Sequence, residues 1–140
     1  MREILFRGKR TDNGEWVDGF LLKECNYATC SWNLAIEYKT DRFGKFAYDV
    51  AEINPETVGQ FTGLTDKNGK KIFEGDVIKI PDDYDEYGHN AGEIYEVYFC
   101  LGGFRLKPKY SKARGYWLED DETVEVIGNI HDNPELLENP

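Results

Sequence analysis

The residues best suited to chemistry lie in one acidic stretch, DDYDEYGHNAGE, which begins at Asp82. It holds His89, one of the two histidines of the chain, just after the carboxylates of Asp83, Asp85 and Glu86. Carboxylate oxygens and imidazole nitrogens are ligands that divalent metals accept. The spacing, however, lacks the ordered acids and closing glutamate of a calcium loop. The pattern therefore favours a solvated acidic loop, and no metal or cofactor is expected.

The chain shows no motif that would support covalent or acid–base catalysis. His131 precedes Asp132-Asn133-Pro134 and is explained as a capping or surface residue. The glycines of GHNAGE and LGGFR lack the strand–loop–helix context of a phosphate cradle, and no serine elbow is present. We therefore expect a protein that is not an enzyme.

Charge is segregated into blocks in the second half of the chain. A basic, aromatic block at residues 104–117 has no acid, and acidic blocks lie on both sides of it. The blocks can simply neutralise each other across strands. Alternatively, the basic block binds nucleic acid, with cations on phosphates and aromatics on bases. Its candidate residues are Arg105, Lys107, Lys109, Lys112, Arg114, Tyr110 and Trp117.

The acidic blocks suggest a second kind of partner, a host protein with a basic patch. Carboxylates that imitate a nucleic-acid backbone would steer such a protein into contact. The candidates are Asp82, Asp83, Asp85, Glu86, Glu119, Asp120 and Asp121. The net charge of −10 disfavours nucleic acid and anionic membranes, so nucleic acid is the weaker alternative.

The elements that must position these residues are predicted to be strands. Aromatic residues make up 14% of the 140 residues, and short alternating segments are separated by glycine turns. Asn13-Gly14 predicts a hairpin between strands at Ile4–Lys9 and Trp16–Leu22. Residues 1–53 are predicted to form an N-terminal β-hairpin region. Residues 54–140 are predicted to form a small β-barrel that ends in a short helical turn.

Three glycines are predicted to shape the second region: Gly69, Gly75 and Gly128. Gly75, between Glu74 and Asp76, is the firmest candidate for a turn that needs positive φ. The helical turns are predicted from Asn54-Pro55 and Asn133-Pro134, where an N-cap residue precedes proline. The stretch EIYEVYF, with Ile94, is a candidate edge strand through which the protein self-assembles.

No segment is long and apolar enough to span a membrane, and the start MREILFRGKR has no apolar signal core. A cytoplasmic location in a bacterial host is expected. The three cysteines, Cys25, Cys30 and Cys100, are then expected to be free thiols.

Three stretches together resemble the YopX family of phage and prophage proteins. They are REILFRGKR at the start, INPETVGQFTGLTDKNGKKIFEGDVIKI in the middle and VEVIGNIHDNPELLE at the end. The resemblance implies a mostly β fold with a small SH3-like barrel and a phage or prophage origin. It implies no catalytic or ligand-binding residues. The expected function is that of a non-enzymatic accessory protein that binds a host protein or assembles with itself.

Overall fold

The computed structural model of the chain describes residues 3–42, 44–80, 92–108, 116–117 and 124–138, and most of them lie in strands. The strands are β1 (Phe6–Lys9), β2 (Trp16–Asn26), β3 (Ser31–Arg42), β4 (Lys45–Glu52), β5 (Gly59–Thr65), β6 (Lys71–Phe73), β7 (Asp76–Lys79), β8 (Ile94–Cys100), β9 (Gly103–Pro108), β10 (Tyr116–Trp117) and β11 (Glu125–Asn129). Short 3-10 helices span Pro55–Thr57 and Pro134–Leu137. The predicted all-β class is confirmed.

The chain forms two compact units, Met1–Phe61 and Thr62–Pro140. The predicted division after Ile53 remains a prediction. In the first unit, the antiparallel strands follow the order β4-β3-β2-β1-β5. The hairpin predicted at Asn13-Gly14 joins β1 to β2: Gly14 has a φ of 72° and its N–H donates to the Arg10 carbonyl at 3.0 Å.

A capped turn leads from β4 into β5. The Asn54 side chain accepts a hydrogen bond from the Glu56 N–H at 3.1 Å, and Pro55 occupies the first helical position, as predicted. The Thr57 hydroxyl then accepts from the Lys9 N–H at 2.9 Å, which fastens this turn to β1. The buried apolar residues Ile36, Ala51, Ile53 and Phe61 lie in the same unit.

In the second unit, five antiparallel strands follow the order β10-β9-β8-β7-β11, and β6 pairs with β5. One buried cluster forms the core, and its residues are Ile72, Ile78, Ile80, Tyr95, Val97, Leu106, Val124 and Val126. Among the described strands, the sheet is open from β10 to β11. The SH3-like barrel therefore remains a prediction.

The expectation that EIYEVYF forms an edge strand is wrong. This stretch becomes β8, which pairs with β7 on one side and with β9 on the other. Tyr95 and Val97 are 1% exposed, so β8 supplies the centre of the core. The alternation of apolar residues with Glu96 is typical of a strand with one outward face, and the pairings on both sides make it central.

A buried carboxylate, Asp66, ties the β5–β6 turn to β11. Its Oδ1 accepts from the N–H groups of Asn68 and Lys70, both at 2.9 Å. Its Oδ2 accepts from the Val126 N–H at 3.0 Å. The side chain thus joins two segments that are far apart in sequence. Asp66 is only 3% exposed.

Gly128 lies where β11 meets the final helical turn. A Cβ there would come within 2.5 Å of Asn133 Oδ1 and 2.8 Å of Leu136 Cδ1. The helical turn at Pro134 is present, but Asn133 does not cap it with its side chain. Instead, Asn133 Oδ1 accepts from the Asn129 N–H of β11 at 3.3 Å. The absence of a Cβ at Gly128 leaves room for the Asn133 side chain there.

Gly75 adopts a φ of 90°, a region that β-branched residues avoid. Its N–H donates to Val97 O at 2.8 Å, and its carbonyl accepts from Ile130 N at 2.9 Å. We expect Gly75→Val to lower the free energy of unfolding by about 2 kcal/mol or more. Valine would be strained at this φ, and the turn is hydrogen-bonded to both Val97 and Ile130. Urea unfolding measures this loss. Gly75→Asn, which tolerates positive φ better, is the control, and equal stability of the two variants would contradict the prediction.

Candidate functional site

The predicted acidic partner-binding residues, at positions 82–86 and 119–121, lie outside the described residues, as does His89. Within the part of the chain that the structure describes, no three His, Cys, Asp or Glu side chains converge as metal ligands. The three cysteines are free.

Only part of the predicted basic block is described: Arg105 and Lys107 on β9 and Trp117 on β10. Lys109, Tyr110, Lys112 and Arg114 lie outside the described residues. The register brings Arg105 opposite Trp117, while Lys107 lies opposite Glu96 on β8. The Arg105 Nε–H donates to the Cys100 carbonyl at 3.3 Å. The pairing of Lys107 with Glu96 supports mutual neutralisation of the charge blocks.

Among the described residues, an exposed apolar surface lies on β4 of the first unit. Phe46, Tyr48 and Val50 are 91%, 55% and 46% exposed. They alternate along the strand and therefore share one face. Phe20 on β2 belongs to the same face, because it lies opposite Glu37, which in turn lies opposite Val50. Large apolar side chains as exposed as those of Phe46, Tyr48 and Val50 mark interaction surfaces, and Phe20 lies two strands away from them.

The burial of β4 is the reverse of what side-chain size predicts. Ala47 and Asp49 are half-buried and Ala51 is buried, whereas the larger side chains of Phe46 and Tyr48 face solvent. A strand selected only for stability would bury its aromatics and expose its aspartate. The stability of the fold therefore does not account for the exposed face of β4.

The backbone of β4 is also open on one side. β4 is the end strand of its sheet, and β3 is its neighbour. The Ile53 N–H donates to Leu34 O at 3.1 Å, so Leu34 and Ile53 form a hydrogen-bonded pair. Such pairs alternate along an antiparallel ladder. Phe46, Tyr48 and Val50 therefore point their N–H and C=O groups away from β3.

The open edge has a definite length. At one end, the Glu52 carbonyl, which also points outward, accepts from the Thr11 N–H at 3.1 Å. At the other end, Gly44, with a φ of 71°, lies in the turn that joins β3 to β4. Among the described residues, no strand pairs with the outer edge between these limits. Residues 46–50 thus present apolar side chains and outward-pointing peptide groups together.

Ionic contacts fix the hairpin that borders this edge. Arg10 donates through Nε and Nη2 to the two carboxylate oxygens of Asp12, at 2.9 and 2.7 Å, and through Nη1 to the Tyr38 hydroxyl at 3.0 Å. The hydrogen bond from Arg10 lowers the pKa of Asp12, and the carboxylate in turn raises the pKa of Arg10. Both charges therefore persist at neutral pH.

Further exposed aromatics lie at the end of the long β2–β3 hairpin. Tyr27, in the turn, is 88% exposed, and Trp32 on β3 is 68% exposed. Trp16 is the first residue of β2. The Arg7 guanidinium lies 4.7 Å and the Lys9 ammonium 5.6 Å from its ring centroid. Among the described residues, exposed aromatic side chains thus occur both on β4 and at this hairpin end.

Sequence reasoning assigned no site to β4. The available signal was the alternation in KFAYDVAE, where Phe46, Tyr48 and Val50 share one period-2 face. That alternation predicts a strand with one apolar face, and it assigns that face to the core. Only the sheet order and the observed exposure show that the face is outward.

The architecture is thus that of a mostly β protein with an exposed sheet edge on β4. The chain belongs to the YopX family: the family model described as YopX protein matches residues 5–138. The predicted membership of this phage and prophage family is confirmed.

A prophage protein and a solved structure are similar to this chain. The chain is 35% identical over 75 residues to the SPbeta prophage-derived uncharacterized protein YopX of Bacillus subtilis (strain 168), which covers 50% of this chain and 52% of that protein. The chain thus spans about half the length of the curated relative it matches. The crystal structure of protein EF1440 from Enterococcus faecalis is similar in fold, with a TM-score of 0.58, 24% identity and coverage of 99% of this chain and 100% of that one.

Helices long and apolar enough to cross a membrane are absent from the described residues.

Proposed function

We propose that this protein is a non-enzymatic accessory protein of a phage or prophage and that it acts by binding protein through the outer edge of β4. The observation that carries the proposal is the coincidence of two features at residues 46–50. Exposed side chains of Phe46, Tyr48 and Val50 lie on the same residues whose peptide groups point outward. An added strand would bind both.

Strand addition explains why this edge differs from a protected one. Natural edge strands are blunted by lysine, proline or inward-pointing charge. Residues 46–50 contain no lysine or proline, and Asp49, on the half-buried face with Ala47, is the one inward-pointing charge among them. The exposed face carries aromatic and β-branched residues, which favour cross-strand pairing. The segment is therefore suited to receiving another strand.

Nucleic acid is a weaker candidate partner. Of the described basic residues, Lys107 lies opposite Glu96, and Arg105 donates to a backbone carbonyl. A net charge of −10 opposes phosphate binding in general.

A capture experiment tests the proposal. A tagged chain, co-expressed with an untagged copy, is recovered from nuclease-treated bacterial lysate. We expect it to retain a protein, either the untagged copy or a host protein, and we expect Val50→Pro to lose it. Proline at this position removes an outward N–H but no hydrogen bond to β3.

Phe20→Lys is the matched control, because it removes an exposed aromatic of the same face without touching the edge. It should retain the captured protein. Capture by Val50→Pro at the wild-type level would refute the edge as the binding site. Recovery of nucleic acid alone, without nuclease, would favour the basic block instead.

A further inference from the structure

We infer that the strand that binds the outer edge of β4 is β4 of a second copy, joined antiparallel about a two-fold axis through Tyr48. This inference rests on the proposed function and names its partner. The resulting interface is isologous, with the same five-residue segment contributed by each copy.

The limits of the open edge determine the register. The outward-pointing residues are Phe46, Tyr48 and Val50, between the turn at Gly44 and the carbonyl of Glu52 that Thr11 occupies. Two such segments overlap fully only when Tyr48 lies opposite Tyr48 of the second copy. Phe46 of each copy then lies opposite Val50 of the other. A slip by two residues leaves one outward residue of each copy unpaired.

This register is favourable in its side chains as well. Aromatic residues opposite β-branched residues are among the stabilising cross-strand pairs. Asp49 of each copy lies opposite Ala47 of the other, so the two carboxylates do not face each other. Three hydrogen-bonded residue pairs would exchange about six main-chain hydrogen bonds. The segment is thus complementary to itself.

The size of the interface predicts a weak dimer. Five residues on each side fall well short of the area of a standard stable interface, so a dissociation constant of about micromolar or weaker is expected. Each chain carries a net charge of −10, so the copies repel each other at long range. Salt screens that repulsion. Self-association should therefore strengthen as salt rises, whereas a basic partner held by carboxylates would dissociate.

Sedimentation velocity of the full chain over a concentration series, at low and at physiological salt, measures the dimer. Tyr48→Lys and Tyr48→Glu, each alone, place like charges opposite each other at the axis, and each should weaken the dimer about tenfold or more. An equal mixture of the two variants should restore it, because lysine then faces glutamate. Phe20→Lys should leave the affinity within about twofold.

Restoration by the mixture requires both variants to be folded and position 48 to face itself, so it supports the inference directly. A dimer that Tyr48→Lys leaves intact would overturn it, and so would two weakened variants that the mixture does not restore. A wild-type chain that stays monomeric at every concentration would overturn it as well. In that last case, edge-dependent capture of a host protein would still uphold the proposed function, and its absence would reject both.

Discussion

Replacing Asp66 with alanine is expected to lower the free energy of unfolding by about 3 kcal/mol or more, the largest loss we expect from a single polar side chain. Its carboxylate accepts hydrogen bonds from the N–H groups of Asn68, Lys70 and Val126, and it is 3% exposed. Removing it leaves the buried Val126 N–H without its acceptor, at a cost of about 1–3 kcal/mol, and also removes the two part-buried hydrogen bonds that close the β5–β6 turn. Urea unfolding followed by circular dichroism measures the change.

The same carboxylate makes stability depend on acid. Burial by itself would raise the pKa of Asp66, but the N–H donors of Val126, Lys70 and Asn68 and the nearby charge of Lys70 outweigh it and lower the pKa. A carboxyl whose pKa is lower in the folded chain stabilises the fold above the unfolded value and loses that effect as the pH falls through the folded value. Stability should therefore be retained above about pH 5 and decline below about pH 4.

The variant Asp66→Asn separates charge from shape. Its amide keeps the size of the side chain, but one of its two terminal atoms becomes a donor and faces an N–H. We expect it to be less stable at neutral pH and to show a shallower loss of stability in acid. Asp18→Asn, at an exposed position on β2, is the control. An acid profile identical to that of the wild type would show that Asp66 does not govern this transition.

Gly19→Ala is expected to destabilise the first unit by about 3 kcal/mol, at the upper end of overpacking effects. Gly19 is buried on β2, and a Cβ there would lie 2.1 Å from the Glu37 carbonyl oxygen on β3 and 3.1 Å from Ile36 Cγ2. Because the first contact is with backbone, the two strands must separate to admit the methyl group. Trp16 and Trp32 lie in this unit, so tryptophan fluorescence during urea unfolding monitors the change.

Gly44→Ala is the matched control for this prediction. A Cβ at Gly44 meets no atom within 4 Å, although its φ is 71°. It should therefore cost only about 1 kcal/mol, the price of positive φ for alanine. Equal losses of stability in the two variants would contradict the close approach of β2 to β3 at Gly19.

Local features of the fold could be predicted from the sequence because their causes are local. Asn13-Gly14 determines a hairpin through its backbone preferences, and Asn54-Pro55 determines a capped turn. Asp66 lies just before Asn68-Gly69, which the sequence makes a turn, but its bond to Val126 depends on a strand sixty residues away. The alternation in β8 predicted a strand but not its central place.

The candidate site could not be predicted for a related reason. A period-2 pattern shows that Phe46, Tyr48 and Val50 share a face, but not which neighbours that face meets. Whether a strand is central or terminal depends on pairings between distant segments, and these pairings follow from the whole core. The charge blocks, by contrast, were conspicuous in the sequence, yet most of their residues lie outside the described part of the chain.

The bond between Asp66 and β11 also bears on the order in which the protein folds during synthesis. The first unit is made of successive hairpins within its first sixty-one residues, so its contacts can form as soon as these residues leave the ribosome. The second unit can be completed only when β11 has been synthesised, because β11 pairs with β7 and residues 80–124 separate the two strands in sequence. Closing so long a loop is entropically costly and slow. The nascent chain is thus expected to expose Ile72, Ile78 and Val97 until its last strand is made.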